Sequence, residues 1–490
     1  MPSVIPIDNL PYDVLYTIYT LVVQGQPEFI ATISHVSTRW RTLCVESPQF
    51  WTKISFHRPR MKNQTVSWLE KQETWLLRSC NALLDVEIGD PAAIRIHPRD
   101  FVTFDIKQLA DIMALVLPHV SRWRSFRLQS LGLDGFTYVT DQLWDLSAPH
   151  LETLAILTPT PKQSIDSPEN YQFGPFRGGS GIPMLKHFSI GQSHLIPDWN
   201  PTNMIQSLTS FHAYRLPLES DLPQPASLRT IRLLVSKNPH LRSLTLETAP
   251  RLPPSSITWQ QLSELIISIP KLSLPELTYL DFGKNGHYSL QYLNLAMVNF
   301  LLMFDAPNLR ELTPDGLDET SIYLLSSMPT MPFPQLRHLT LIIPSFPAFA
   351  SRQIFVVLSQ LQALQALTIQ SGGIPKPGEG GEEEEEGGEE EKDWPKDLFE
   401  PLSTMLPHLS RLTLHLTPTI SHYRHRCDLL FPIDVIKNIV MSRLRSTDVA
   451  SLRTLDLGRR RIGKDDEEWF RERVGEVIIR APLKLGSGAR

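Results

Sequence analysis

The sequence predicts an α/β protein: a small N-terminal all-α module, then an irregular solenoid with parallel strands inside and helices outside. Two observations carry this. The phrase Pro-x-Leu-x-x-Leu-x-Leu returns along most of the chain, and one strand with one helix or turn buries such a phrase only when stacked on copies of itself. The first 58 residues instead place apolar side chains at helical spacing.

The phrase appears as PHLETLAIL at Pro149, PMLKHFSI at Pro183, PHLRSLTL at Pro239, PELTYLDF at Pro275, PNLRELTP at Pro307, PQLRHLTLII at Pro334 and PHLSRLTLHL at Pro407. Copies at Leu364 and Leu452 keep the leucines without the proline, and weaker ones start at Trp123, Leu208 and Leu262. Leu309, Leu336 and Leu364 stand 27 and 28 residues apart, which matches a leucine-rich repeat of roughly 20 to 29 residues. The alternation at the end of each phrase turns its last leucines to one face of a short strand. Ser227 to Lys237, with Leu228, Ile231, Leu234 and Val235 at helical spacing, reads as an outer helix. The asparagine usual after such strands is absent, Ala249 standing in its place after Leu241.

The N-terminal stretch opens on Leu10-Pro11, followed by Asp13, Val14, Leu15, Ile18 and Leu21 on a first helix. Pro11 suits a helix start, where its missing N–H goes unmissed. A second segment sets Ile33, Val36, Trp40 and Leu43 on one helical stripe, and Ser47-Pro48, Phe50-Trp51 and Ile54 complete the module. In this order the residues resemble an F-box, with Asp13 at a position where Glu is commoner and Gln24 to Glu28 lengthening the link between helices. The resemblance implies that Leu10, Pro11, Val14, Leu15 and Ile18 face a Skp-type adaptor, which in turn binds a cullin. A module this short also leaves large apolar side chains wanting a partner.

The domains follow: 1–58 the F-box-like module, 59–108 a helix and strand connector, 109–480 the solenoid, 481–490 a tail. Within the connector, Val66, Leu69 and Leu76 with Trp68 and Trp75 predict a helix over 63–80 with Asn81 as its cap, and Leu84, Val86 and Ile88 predict a strand. A further helix is expected from Lys107 to Leu117. Loop insertions are expected at 158–181, rich in Pro, Ser and Gly, and at 372–395, where nine glutamates alternate with glycines. The glutamate run reads as a solvated spacer, with docking to a basic partner as the alternative.

Net charge is −5, and setting those nine glutamates aside leaves +4 for the remainder. The rest is therefore near neutral, without the footprint of a nucleic-acid binder. Cys44, Cys80 and Cys427 are scattered and odd in number, which fits a reducing compartment. The first residues lack the charge and apolar run of a signal peptide, and no uncharged stretch is long enough to span a bilayer. A cytoplasmic or nuclear protein with no membrane partner is expected. No nucleotide, zinc-protease, hydrolase or Cys-x-x-Cys motif occurs. His422, His425 and Cys427 lie close together, but Arg424 and Arg426 interleave them and oppose a cation. No catalytic residue, metal or cofactor is expected, and the chain reads as a non-enzyme.

A bound protein target would meet the strand residues that flank the buried leucines. These are Tyr279, Asp281, Glu311, His338, Arg411 and His415 foremost, with Ser243, Thr245, Glu247, Thr313, Thr340, Thr413, Thr454 and Asp456. Their mixed charge suits a protein surface better than a lipid or an anionic polymer. The resemblance then implies a substrate receptor of a Skp/cullin/F-box ubiquitin ligase; the alternative is a leucine-rich-repeat scaffold without ligase coupling.

Overall fold

The computed structural model describes residues 10–25, 29–57, 65–89, 104–129, 133–157, 176, 181–191, 207–213, 233–246, 271–281, 304–313, 325–326, 333–343, 348–372, 402, 405–417, 433–458 and 462–480. The chain divides into two compact units, residues 1–217 with 226–238, and residues 218–225 with 239–490.

The first unit starts with helices α1 (Tyr12–Gly25), α2 (Phe29–Ser34) and α3 (Thr38–Val45). Pro11 stands one residue ahead of α1, its carbonyl accepting the Leu15 N–H at 3.1 Å. The single stripe expected from Ile33 to Leu43 is broken into two helices. His35 and Val36 interrupt it, and the Ser37 hydroxyl caps α3 by accepting the Trp40 N–H at 3.4 Å. Val36 is consequently 54% exposed, while Ile30, Trp40, Leu43 and Cys44 turn inward.

The module does not stay helical to residue 58. Lys53–Phe56 form strand β1, which pairs in parallel with β2 (Leu84–Ile88). Between them α4 (Thr65–Arg78) returns the chain. That helix ends before Asn81: Cys80 takes a left-handed backbone, φ 46°, where a cap was expected one residue later. Aromatic contacts hold the connector to the module, Trp51 meeting Trp75 edge-on at 5.5 Å and Phe56 meeting Trp68 at 5.4 Å. Gly89 follows β2 with φ +107°, and a Cβ there would lie 1.9 Å from the Gln129 carbonyl oxygen, so only glycine fits.

The sheet continues through β3 (Trp123–Gln129), β4 (Thr153–Leu157), β5 (His187–Ile190) and β6 (Ser210–Ala213), each parallel to the one before. Parallel neighbours need a crossover, and α5 (Ile106–Val116) and α6 (Leu133–Gln142) supply two of them. A capping box starts α5: the Asp105 carboxylate accepts the Gln108 N–H at 2.7 Å, and Gln108 Oε1 accepts the Asp105 N–H. Of the insertion expected at 158–181, Phe176 and Gly181 are described. Phe176 is fully buried and donates its N–H to the Leu143 carbonyl at 2.8 Å, so at that point the chain is core rather than surface loop.

In the second unit, β7 (Ser243–Leu246), β9 (Tyr279–Asp281), β11 (Glu311–Thr313), β12 (His338–Ile343), β13 (Ala366–Gly372), β14 (Arg411–Thr417), β15 (Thr454–Asp456) and β16 (Glu476–Ile478) pair in that order, all parallel. A side pair joins β8 (Leu272–Ser273) to β10 (Phe304–Asp305). Helices α7 (Ala348–Ser359), α8 (Ile433–Arg445) and α9 (Lys464–Arg471) lie between strands in the chain. In the first unit, of the outer helix expected over 227–237, residues 233–237 are described and 233–236 are helical, with Leu234 and Val235 buried.

The structure explains the proline in the repeat. In most copies the first leucine donates its N–H to the carbonyl three residues back: Leu151 to Ala148, Leu185 to Ile182, Leu277 to Leu274, Leu309 to Ala306, Leu336 to Phe333 and Leu409 to Leu406. Proline thus holds the second position of a β-turn, where its fixed φ is already correct. The residue before it is apolar and buried each time, from Ala148 to Leu406. The repeat therefore reads apolar-Pro-x-Leu-x-x-Leu-x-Leu, one position longer than its leucines suggest. The copy at Pro239 departs from this, with Asn238 ahead of the proline: fully enclosed, it accepts the Leu208 N–H at 2.9 Å and donates to the Leu234 carbonyl at 2.8 Å.

Candidate functional site

Helix α1 is apolar on two sides. One side carries Leu15 and Tyr19, both fully buried. Tyr19 stacks on Phe50 at 5.5 Å, contacts Trp40 at 5.1 Å and donates its hydroxyl to the Trp40 carbonyl at 3.1 Å. Behind it Trp51 Nε1 donates to the Cys44 carbonyl at 2.7 Å. Burial pushes both the Tyr19 phenol and the Cys44 thiol up from their ordinary values, so both stay protonated.

The other side carries Val14, Ile18 and Leu21 at i, i+4 and i+7. Val14 is 39% and Leu21 65% exposed, and Ile18 is half-buried. Tyr12, Phe29, Val36 and Val45 are exposed on the same module. Of the five residues expected to face an adaptor, Pro11 and Val14 are exposed and Leu10 and Ile18 half-buried, while Leu15 belongs to the module's own core. Leu21, Tyr12 and Phe29, which were not among the five, are exposed on the same module. The i+7 step from Val14 to Leu21 was the signal for the first of them.

In the first unit a cleft of about 890 Å³ opens between α1 and the starts of β1 to β4, lined among others by Tyr16, Gln49, Lys53, Glu87, Arg124 and Arg127. Arg124 grips Asp85 with two nitrogens, its Nε at 3.0 Å from Oδ1, and Lys186 meets Glu152 at 2.7 Å. The Lys186 hydrogen bond holds the Glu152 carboxyl below the usual range. The cleft joins segments spread from Tyr16 to Thr153, so no local pattern announced it.

In the second unit the strand register brings Tyr279, Glu311 and His338 side by side on β9, β11 and β12. Tyr279 donates its hydroxyl to Asp281 at 3.1 Å, and His338 Nδ1 lies 3.1 Å from Glu311. Arg411 is exposed two strands beyond His338. His415 belongs to β14, but its side chain lies outside the described part, as do Glu247, the glutamate run and the His422, His425, Cys427 group. Thr245, Thr413, Thr454 and Asp456 prove nearly closed to solvent, between 5% and 8% exposed, so the open face is narrower than expected. Asp456 is held by Arg480 at 2.9 Å, and Glu276 by His240 at 2.6 Å and by Arg242. These neighbours, His240 first, keep the Glu276 carboxyl below the usual range.

Among the described residues no group of His, Cys, Asp or Glu could hold a metal ion, and no helix is long and apolar enough to cross a membrane.

Stacked turn-and-strand units with a buried leucine ladder are the architecture of a leucine-rich-repeat-type protein. No family model matches the sequence, and no curated protein matches it either. Among solved structures, the leucine-rich repeat-containing protein LegL7 from Legionella pneumophila is similar over 82% of this chain and 99% of its own, at 13% identity and a TM-score of 0.31. A superposition that loose says nothing of function.

Proposed function

We propose that the chain is the substrate-recognition subunit of a Skp/cullin/F-box-type ubiquitin ligase, acting in the cytoplasm or nucleus. The N-terminal module takes the adaptor, and through it a cullin. The stacked strands take a protein target, and a separate conjugating enzyme performs the transfer. The chain's own contribution is proximity, raising the concentration of target lysines near the charged enzyme. The observation that carries this reading is the second apolar side of α1. Val14, Ile18 and Leu21 form a stripe although Leu15 and Tyr19 already supply the module's core, and an extra exposed apolar stripe favours a partner.

Co-purification with a Skp-type adaptor tests it. Changing Val14 and Leu21 together to Asp places charge on exposed positions, so the fold should survive while adaptor binding falls by about a hundredfold or more, as expected for buried interface anchors. Leu15→Ala serves as contrast, because it should unfold the module instead. Adaptor binding by wild type that the double Asp variant retains would defeat the assignment of this stripe. No adaptor binding by wild type would leave the second reading, a leucine-rich-repeat scaffold without ligase coupling.

A further inference from the structure

Three arginines share one repeat position across the second unit, and a fourth, Arg411, stands one residue further along its strand, level with His338 and Thr454. Arg310, Arg337 and Arg453 each follow the first leucine of their repeat, directly ahead of β11, β12 and β15, and Arg411 opens β14. All four are exposed, and none makes an ion pair among the described residues. Their spacing is set by backbone rather than by chance of side-chain conformation. The Arg337 N–H donates to the Arg310 carbonyl at 2.8 Å and the Arg453 N–H to the Ser410 carbonyl at 2.7 Å, while Arg411 lies in register with Ala366 and Thr454.

The nearby carboxylates are already engaged: Glu311 with His338, Glu276 with His240 and Arg242, Asp456 with Arg480. Glu476, exposed beside Thr454, takes that residue's hydroxyl at 3.2 Å, while the four guanidinium groups make no ion pair among the described residues. Two residues along β12, β13 and β14, the register aligns Thr340, Thr368 and Thr413, whose hydroxyls make no hydrogen bond to the described residues.

We propose that this row of arginines docks an acidic peptide segment of a partner protein, lying across the strands. From β11 to β15 is four inter-strand steps of ~4.8 Å, or about 19 Å, the length of about six extended residues. Each guanidinium offers a planar fork that matches a carboxylate, and the hydroxyls of the half-buried Thr340 and Thr368 can donate to oxygens left over. A nucleic acid fits less well. Single strands need a run of aromatic platforms, and the described strand positions beside the row supply Tyr279, whose hydroxyl is taken by Asp281. The inference rests on the reading that this unit holds the target, and it names the target's chemistry.

The test is fluorescence anisotropy with the full chain and a labelled peptide of about eight Asp and Glu residues, beside its Asn/Gln counterpart and a labelled oligouridylate. The acidic peptide should bind and the amide peptide should not, with binding weakened about tenfold by added salt. Reversing Arg310 and Arg337 to Glu, or Arg411 and Arg453 to Glu, should each weaken binding at least about tenfold, while Lys107→Glu in the other unit leaves it unchanged. The Arg→Gln pairs, with thermal unfolding as a check, give the same answer should a reversed variant fail to fold. Failure of the acidic peptide to bind, equal binding of the amide peptide, indifference to all four arginines, or tighter binding of the oligouridylate would overturn the proposal. Adaptor co-purification on the same proteins separates the two readings. Peptide binding without adaptor removes the ligase reading and keeps the row; adaptor binding without peptide does the reverse.

Discussion

At the scale of single residues, the helical module depends on groups kept neutral by burial. Cys44 is fully enclosed and Cys80 is exposed, so alkylation at neutral pH followed by peptide mapping should modify Cys80 well before Cys44. Equal rates would mean that the core around Tyr19 and Trp40 is open. The same burial makes the module sensitive to alkali. The folded state holds the Cys44 and Tyr19 protons with raised affinity, whereas the unfolded chain releases them in the ordinary range, from about pH 9 upward. There the unfolded state binds fewer protons than the folded one, so stability is fully present below that range and falls as pH rises through it. Cys44→Ala should remove part of that loss, seen as a smaller shift of the urea midpoint of Trp fluorescence between neutral and alkaline pH. The leucines of the repeat phrase were legible in the sequence because each occupies a fixed place in a short pattern. The role of Leu15 was not, because α1 is apolar on two sides and spacing alone does not say which side meets the rest of the chain.

At the scale of elements, the turn-and-strand unit was written locally and the fastening of helices to it was not. Proline at the second turn position and the alternating leucines sit within eight residues of one another. The break between α2 and α3 escaped notice because Ile33 and Val36 kept helical spacing across it, and only the cap made by Ser37 reveals it. Arg443 is the clearest case of a distant fastening. It is 1% exposed on α8, and its guanidinium donates to the carbonyls of Leu402, Leu406, Leu409 and Ala450 at 2.8 to 2.9 Å, tying the helix to the turn ahead of β14. Burial pushes its pKa down to about 10, which still leaves it charged at neutral pH. Three of its acceptors lie more than thirty residues away in sequence, so nothing near Arg443 announced them. Arg443→Met keeps the length of the side chain and strands those carbonyls, each buried acceptor left unmet costing about 1 to 3 kcal/mol. A loss of about 3 kcal/mol or more is expected in denaturant unfolding, with Arg443→Lys recovering only part of it. A loss below about 1 kcal/mol would show that water replaces the guanidinium.

At the scale of the whole molecule, a stack of parallel repeats has a particular mechanical character, because each strand bonds only to the strand before and the strand after. In the second unit the ladder from β12 through β14 is the longest in register, seven residue pairs joining β13 to β14, whereas β7, β9 and β11 share three or fewer residues each with their neighbours. The arginine row runs over both parts, so a segment docked there would bridge a firm region and a thin one. Leu367 sits at the centre of the firm region, fully buried and in register with Leu339 and Leu412. Leu367→Ala should cost about 2 to 5 kcal/mol through lost burial and the cavity left behind. The nearest-neighbour arrangement says where that loss appears. Amide hydrogen exchange should quicken in β12, β13 and β14, while β7 and β9 exchange at their former rates, since no strand bond links them directly to the altered one. Uniform quickening from β7 to β16 would instead show a unit that opens all at once. That outcome would make target binding at any one repeat a matter for the whole unit rather than for the strands it touches.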